Sequence, residues 1–178
     1  MKRSTVIVST ALALVTGVGL GAGLNTFGLP LISRGWAIPA SEGPVKVSVP
    51  DAAYGAQKVV YHVSSKGNWR DREAEAWRLV SVLNNHINAI EPDDIDLHVI
   101  FQGDGVDALQ RAKVNPVLGA AFDALRKRGV KLRICANTLE AYRVLPDTLH
   151  GVKPEELVRA AVAELAHLQQ QGFVYIKF

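Results

Sequence analysis

Apolar and polar positions follow two different spacings from residue 57 to the end of the chain. Four short runs are β-branched or aromatic, which is typical of buried strands: "KVVYHV" (58–63), "IDLHVIF" (95–101), "VKLRICA" (130–136) and "FVYIKF" (173–178). Between the first two runs, apolar residues recur every three or four positions at Ala76, Val80, Leu83, Ile87 and Ile90. This spacing predicts an amphipathic helix of about five turns that Pro92 ends.

The second half of the chain contains the signals of three further helices. Residues 115–128 carry an apolar face and a basic last turn, and Gly129 is a typical C-terminal stop. A short helix is expected after Asn137. A longer helix is expected from about Pro154, with an apolar face of Leu157, Ala161, Leu165 and Leu168.

Strands that alternate with helices of this length predict right-handed crossovers between parallel neighbours. The expected fold of residues 57–178 is therefore a three-layer α/β/α sandwich with a mostly parallel sheet of four or five strands. In such sheets a ligand or reacting group usually lies beyond the carboxyl ends of the strands.

The first forty residues have the character of a targeting segment. Lys2 and Arg3 precede an uncharged apolar run over residues 5–24, which as a helix would be about 30 Å long and could cross a bilayer. Residues 1–40 are thus either a cleaved signal peptide, cut after Ala37 or Ala40, or an uncleaved membrane anchor. Residues 41–56 are interpreted as a linker, and both alternatives predict a periplasmic or otherwise exported domain.

Net charge argues against nucleic acid as a partner. The chain has 20 Lys and Arg against 17 Asp and Glu, but four of the basic residues and one acidic residue lie within residues 1–50. Sixteen of each sign remain in residues 51–178, so the folded part is neutral and offers no basic surface of the kind that binds phosphate backbones.

Cys135, the single cysteine, falls at the carboxyl end of the third predicted strand, directly before a helix. Amide groups at the start of that helix would favour the thiolate, and strand alternation places Lys131 and Arg133 on the same side as the sulfur. The alternative is a small buried apolar residue, which lone cysteines often are. A reactive role requires an accessible sulfur that faces those amides.

Several stretches resemble the DsrE/DsrF-like family of sulfur-relay proteins: "KVVYHVSS", "LVSVLNNHINAI", "HVIFQGDGV", "LRKRGVKLRICANTL" and "LQQQGFVYIKF". The resemblance implies an α/β fold, assembly into homo-oligomers such as trimers or hexamers, and a persulfide carried on Cys135. It implies no particular donor or acceptor. The chain departs from the best understood members in its export leader and in Asn137 and Thr138, where small apolar residues are usual.

The first hypothesis is a sulfur carrier that takes sulfane sulfur from a protein or a small compound and passes it to a partner thiol. The alternative is a non-catalytic oligomeric module of the same fold that binds a small anion or a protein. Six residues are candidates for binding: Arg133, Asn137, Thr138, Asn85, Gly103 and Gly105. No metal site is expected, since the histidines lack a metal-binding spacing. No cofactor is expected either, since the GxG turn lacks a nucleotide-binding motif.

Overall fold

The computed structural model describes residues 48, 54–65, 71–90 and 94–178. Its five strands are β1 (Gln57–Val63), β2 (Ile95–Phe101), β3 (Lys131–Cys135), β4 (Leu157–Val158) and β5 (Val174–Lys177). Its five α-helices are α1 (Arg72–Asn88), α2 (Asp107–Val114), α3 (Pro116–Lys127), α4 (Ala136–Tyr142) and α5 (Ala161–Gln170). Three 3₁₀ turns, Gly103–Val106, Pro146–Thr148 and Pro154–Glu156, complete the described elements.

The five strands form one parallel sheet in the order β4-β3-β2-β1-β5. The central pair is in register from Gln57 opposite Ile95 to Val63 opposite Phe101, so both strands end at the same level. All five carboxyl ends therefore meet at one edge, and the prediction of a parallel α/β sheet with four or five strands is confirmed.

The larger core lies between the sheet and the helices α1, α2 and α3. Its fully buried side chains include Phe101 and Leu132 from the strands and Leu83, Leu109 and Phe122 from the helices. Each of these large side chains contributes about 1.5–3 kcal/mol when it leaves water, so this face holds most of the apolar stabilisation.

The other face of the sheet is covered by α5. Val60, Ile100 and Cys135 project from the strands and contact Ala161 and Leu165 in a smaller core. The alternation in β3 is as predicted, because Leu132 and Ile134 belong to the first core whereas Cys135 belongs to the second. The helices thus occupy both faces and produce the three-layer sandwich.

Two details of the sequence prediction are wrong. Residues 107–114, which had no predicted element, form α2. The long helix expected from Pro154 is instead a 3₁₀ turn followed by the two-residue strand β4, and α5 begins only at Ala161. The spacing of Leu157 from Ala161 mimics a helical repeat, but Leu157 pairs with Ile134 as an edge strand.

The predicted leader of residues 1–40 and nearly all of the linker of residues 41–56 lie outside the described residues. Within the described ranges, no helix has the length and hydropathy needed to cross a membrane.

Candidate functional site

Cys135 is both the last residue of β3 and the N-cap of α4. Its sulfur therefore lies at the carboxyl edge of the sheet, as the sequence predicted. Only 3% of the residue is exposed to solvent, so the sulfur is not openly accessible, and open access is the first of the two conditions for a reactive role. Access is through a cavity of about 310 Å³ that the cysteine lines.

The cavity is enclosed by residues from three carboxyl-edge segments. The turn after β2 contributes Gln102 and Gly103. Helix α4 contributes Asn137, Thr138, Ala141 and Tyr142, and the start of α5 contributes Ala160, Ala161 and Val162. A cavity of this size accommodates a small molecule or the end of a side chain from another protein.

Hydrogen-bond donors converge on the sulfur. The Ala161 backbone N–H, in the first turn of α5, donates to Cys135 Sγ at 3.3 Å. Burial alone would raise the pKa of the thiol, but hydrogen bonds from the Thr138 side chain and from the N–H groups of Ala161, Thr138 and Asn137 lower it below its ordinary value. These hydrogen bonds favour the thiolate over the thiol, and the thiolate is the nucleophilic form.

Thr138 connects the sulfur to the loop after β2. The Gly103 N–H donates to Thr138 Oγ1 at 3.0 Å, which leaves the hydroxyl hydrogen for the sulfur. Thr138 is 7% exposed, and its two bonds orient the hydroxyl. The predicted binding residues Gly103 and Thr138 therefore lie together with Cys135.

Gly105 acts through the backbone. A Cβ at this position would lie 2.1 Å from the Val63 carbonyl oxygen, so only glycine lets the 3₁₀ turn approach the end of β1 this closely. Gly105 does not line the cysteine cavity, but it positions the turn that carries Gly103.

Two predicted residues do not reach the sulfur. Arg133 shares the face of Cys135 but bonds the Glu155 carbonyl at 3.1 Å and lies 3.7 Å from Glu164 Oε1. Asn85 is exposed on α1, which packs on the opposite face of the sheet, and it does not line the cavity. The sulfur is instead bonded by backbone N–H groups and the Thr138 hydroxyl, because the Arg133 guanidinium is held by Glu155 and Glu164.

The structure adds site residues that the sequence analysis missed. Ala161 supplies a main-chain donor, which no side-chain pattern reveals. It was also missed because the helix was expected to begin near Pro154, whereas α5 begins at Ala161. Gln102 and Tyr142 line the cavity. Gln102 directly follows β2, so the strand-end rule contained a signal for it.

The described residues contain no group of three or more His, Cys, Asp or Glu side chains arranged to hold a metal ion. His98 is buried against Phe173 with ring centroids 4.9 Å apart, and its Nε2 lies 3.3 Å from Asp96 Oδ1. Burial lowers the pKa of His98 to about 4 despite the neighbouring carboxylate. His98 therefore belongs to the packing beneath α5.

Together, the sheet and its carboxyl-edge cavity define a parallel α/β sandwich that holds a hydrogen-bonded cysteine at the end of its third strand. The model of the DsrE/DsrF-like family matches residues 57–178. The chain belongs to this family, and the sequence-based resemblance is confirmed.

A solved structure supports the fold assignment. The chain is similar to MTH1491 from Methanobacterium thermoautotrophicum, a protein of unknown function, with 26% sequence identity and a TM-score of 0.55. The similarity covers 68% of this chain and 99% of that protein. No match was found among the curated proteins that were compared.

Proposed function

We propose that the protein is a sulfur carrier that holds sulfane sulfur as a persulfide on Cys135. The observation that carries the proposal is the hydrogen bonding of the sulfur, where the Ala161 N–H at 3.3 Å and the Thr138 hydroxyl favour a thiolate on a cavity wall. Membership of the DsrE/DsrF-like family supports the same chemistry.

The transfer conserves atoms and electrons without an external oxidant. The Cys135 thiolate attacks the terminal sulfur of a donor persulfide, a new S–S bond forms, and the donor S–S bond breaks to release the donor thiolate. A partner thiolate then attacks the terminal sulfur held on Cys135 and restores the starting thiolate. The donor must enter the cavity, since the cysteine itself is almost completely buried.

The proposal extends to where and in what form the protein works. An export leader in residues 1–40 would place the carrier outside the cytoplasm, with an anchor over residues 5–24 if the leader is not cleaved. Assembly into a homotrimer or homohexamer is proposed from the family resemblance. N-terminal sequencing of the mature protein and light scattering test these two points.

Intact-mass spectrometry tests the central claim. The purified protein is incubated with glutathione persulfide, and the expected result is an adduct of one sulfur atom that a reducing agent removes. Cys135→Ser is expected to gain no sulfur, and Ser64→Ala, which removes a half-buried hydroxyl outside the cavity lining, is the matched control. Equal melting temperatures show that both variants fold.

The alternative is a non-catalytic binding module, and the near-complete burial of Cys135 favours it over an open nucleophile. A thiol that stays unmodified in every sulfane donor and resists iodoacetamide at pH 8 would contradict the carrier and support the module. Binding of a small anion without any mass change would point the same way.

A further inference from the structure

Three side chains form a hydrogen-bonded chain that ends at the cysteine cavity. Tyr175, on the edge strand β5, bonds His62 Nδ1 through its hydroxyl at 2.9 Å. His62 Nε2 in turn lies 2.9 Å from Gln102 Oε1. Of these three residues, Gln102 is the one that lines the cavity beside Cys135.

The chemistry of the three groups fixes the direction of the hydrogen bonds. An amide oxygen can only accept, so His62 Nε2 carries the hydrogen and donates it to Gln102. His62 Nδ1 is then the acceptor of a neutral ring and receives the Tyr175 hydroxyl hydrogen. Burial lowers the pKa of His62; the bond to Gln102 opposes this shift and the charge of Lys177 adds to it, which keeps the ring neutral at pH 7.

This arrangement occupies the oxygen end of the Gln102 amide and leaves its amino end for the cavity. The groups that lower the pKa of Cys135 are Thr138, Ala161 and Asn137, and they do not include Gln102. The Gln102 amino group is therefore available to a molecule that enters the cavity.

We propose that the Gln102 amino group binds the leaving sulfur of the persulfide donor, and that His62 and Tyr175 are positioning residues that orient the amide. The inference rests on the proposed carrier function. As Cys135 attacks, negative charge moves from its sulfur to the departing thiolate, and a fixed donor at that position stabilises the transition state. The donors from Thr138, Ala161 and Asn137 remain with the cysteine sulfur, so a separate donor is needed at the departing sulfur of the breaking bond.

The test compares two reactions of the same thiol. Loading from glutathione persulfide has a leaving thiolate in the cavity, whereas alkylation by the neutral reagent iodoacetamide has a small iodide and reports on the thiolate itself. Gln102→Met keeps the length of the side chain and removes its donor. We expect it to slow loading by at least about tenfold, as removal of a donor to developing charge does, and to leave the alkylation rate unchanged.

Two further variants examine the positioning residues. His62→Gln retains an N–H that can donate to Gln102 and is expected to load at nearly the wild-type rate, whereas His62→Leu is expected to load as slowly as Gln102→Met. Tyr175→Phe is expected to have a smaller effect in the same direction. Gln170→Met and Tyr54→Phe, at exposed positions outside the cavity lining, are the matched controls.

The outcomes separate this inference from the proposed function. Equal loading rates for Gln102→Met and wild type would overturn the inference and leave the carrier in place. A parallel decrease in loading, alkylation and melting temperature would show a structural role only. A wild type that takes up no sulfur would overturn both proposals. Slow loading of Gln102→Met with a normal alkylation rate would support both.

Discussion

The two edges of the sheet carry the same trio of side chains in different settings. At the amino edge, Tyr61 bonds His86 Nδ1 at 2.9 Å and His86 Nε2 lies 2.8 Å from Gln57 Oε1. At the carboxyl edge, the trio is Tyr175, His62 and Gln102 with the same connectivity. The amino-edge trio borders a cavity of about 740 Å³, more than twice the volume of the cysteine cavity.

What separates the edges is a nucleophile and converging donors. Among the described residues, the lining of the larger cavity includes His86 and Gln57 but no cysteine, serine or threonine. Its tyrosine is also more deeply buried, because Tyr61 is 5% exposed whereas Tyr175 is 40% exposed, and burial raises the pKa of the Tyr61 hydroxyl. A cavity and a hydrogen-bonded trio are therefore present at both edges, and what distinguishes the carboxyl edge is the cysteine at a strand end, where ligands and reacting groups usually lie in parallel sheets.

The largest expected effect comes from a glycine at the carboxyl edge. Gly105→Ala would place a methyl group 2.1 Å from the Val63 carbonyl oxygen, and the end of β1 or the turn before α2 must move. We expect a loss of at least about 3 kcal/mol in the free energy of unfolding, measured by urea denaturation.

Gly172→Ala is the matched substitution at the amino edge. Gly172 has a φ of +88°, but no atom of the described residues lies within 4 Å of the added methyl, so only backbone strain of about 1–2 kcal/mol is expected. Equal losses for the two variants would show that the close approach at Gly105 is not what requires glycine.

The next largest effect concerns pH and His98, which lies between the two edges. Its pKa is lowered to about 4 in the folded protein, whereas an exposed histidine titrates near 6.5. The unfolded chain therefore binds the proton first, and stability that is present above pH 6.5 is lost as the pH falls towards 4. We expect a loss of up to about 3 kcal/mol over this window.

Comparison of His98→Leu with wild type isolates that contribution. The variant should lose less stability than wild type between pH 6.5 and 4 in urea denaturation, since leucine has no proton to bind. His167→Leu, on the exposed side of α5, should follow wild type. Identical pH profiles for His98→Leu and wild type would show that burial of this ring does not govern acid stability.

Most of the fold was predictable because strands and amphipathic helices leave strong periodic signals. The runs at β1 and β2 and the spacing of Leu83 and Ile87 in α1 predicted elements that the structure contains. The missed elements are short. The strand β4 has two residues, Leu157 and Val158, and a strand of that length is defined by its pairing with β3 rather than by a pattern of its own.

A smaller effect is expected when the hydroxyl at the sulfur is removed. Thr138→Val has nearly the same shape but loses both the bond to Cys135 and the acceptor for the Gly103 N–H. We expect about 1 kcal/mol of lost stability and a higher pKa of the thiol, seen as a shift of the pH profile of iodoacetamide alkylation towards alkaline values.

Thr138→Ser keeps the hydroxyl and should keep the wild-type profile. An unchanged profile in Thr138→Val would mean that the backbone donors alone set the acidity of the thiol.

The smallest effect is expected at the amino-edge trio. Tyr61→Phe removes the hydroxyl that bonds His86 and should cost at most about 1 kcal/mol of stability, without any change in the alkylation profile of Cys135. A change in that profile would show that the two edges are coupled through β1.

The site was predictable in position but not in detail. The strand-end rule located Cys135, Gly103 and Thr138, which the structure brings together. Strand alternation proposed Arg133 and placed it on the face of Cys135, but it could not show that the guanidinium is held by Glu164 and the Glu155 carbonyl. Ion pairs between segments distant in sequence depend on tertiary packing, and a single sequence carries no direct record of them.

The Ala161 N–H that bonds the sulfur belongs to the main chain, so a side chain small enough for this fully buried position leaves that donor in place. Proline is the exception, since it alone lacks the hydrogen. Position 161 opens a helix, where proline is well tolerated, and Ala160 already has the extended conformation, with φ −142° and ψ 123°, that suits a following proline. The acidity of this thiol consequently depends at residue 161 on the backbone N–H rather than on the side chain. Proline there would remove one hydrogen-bond donor and keep the backbone conformation at the helix start.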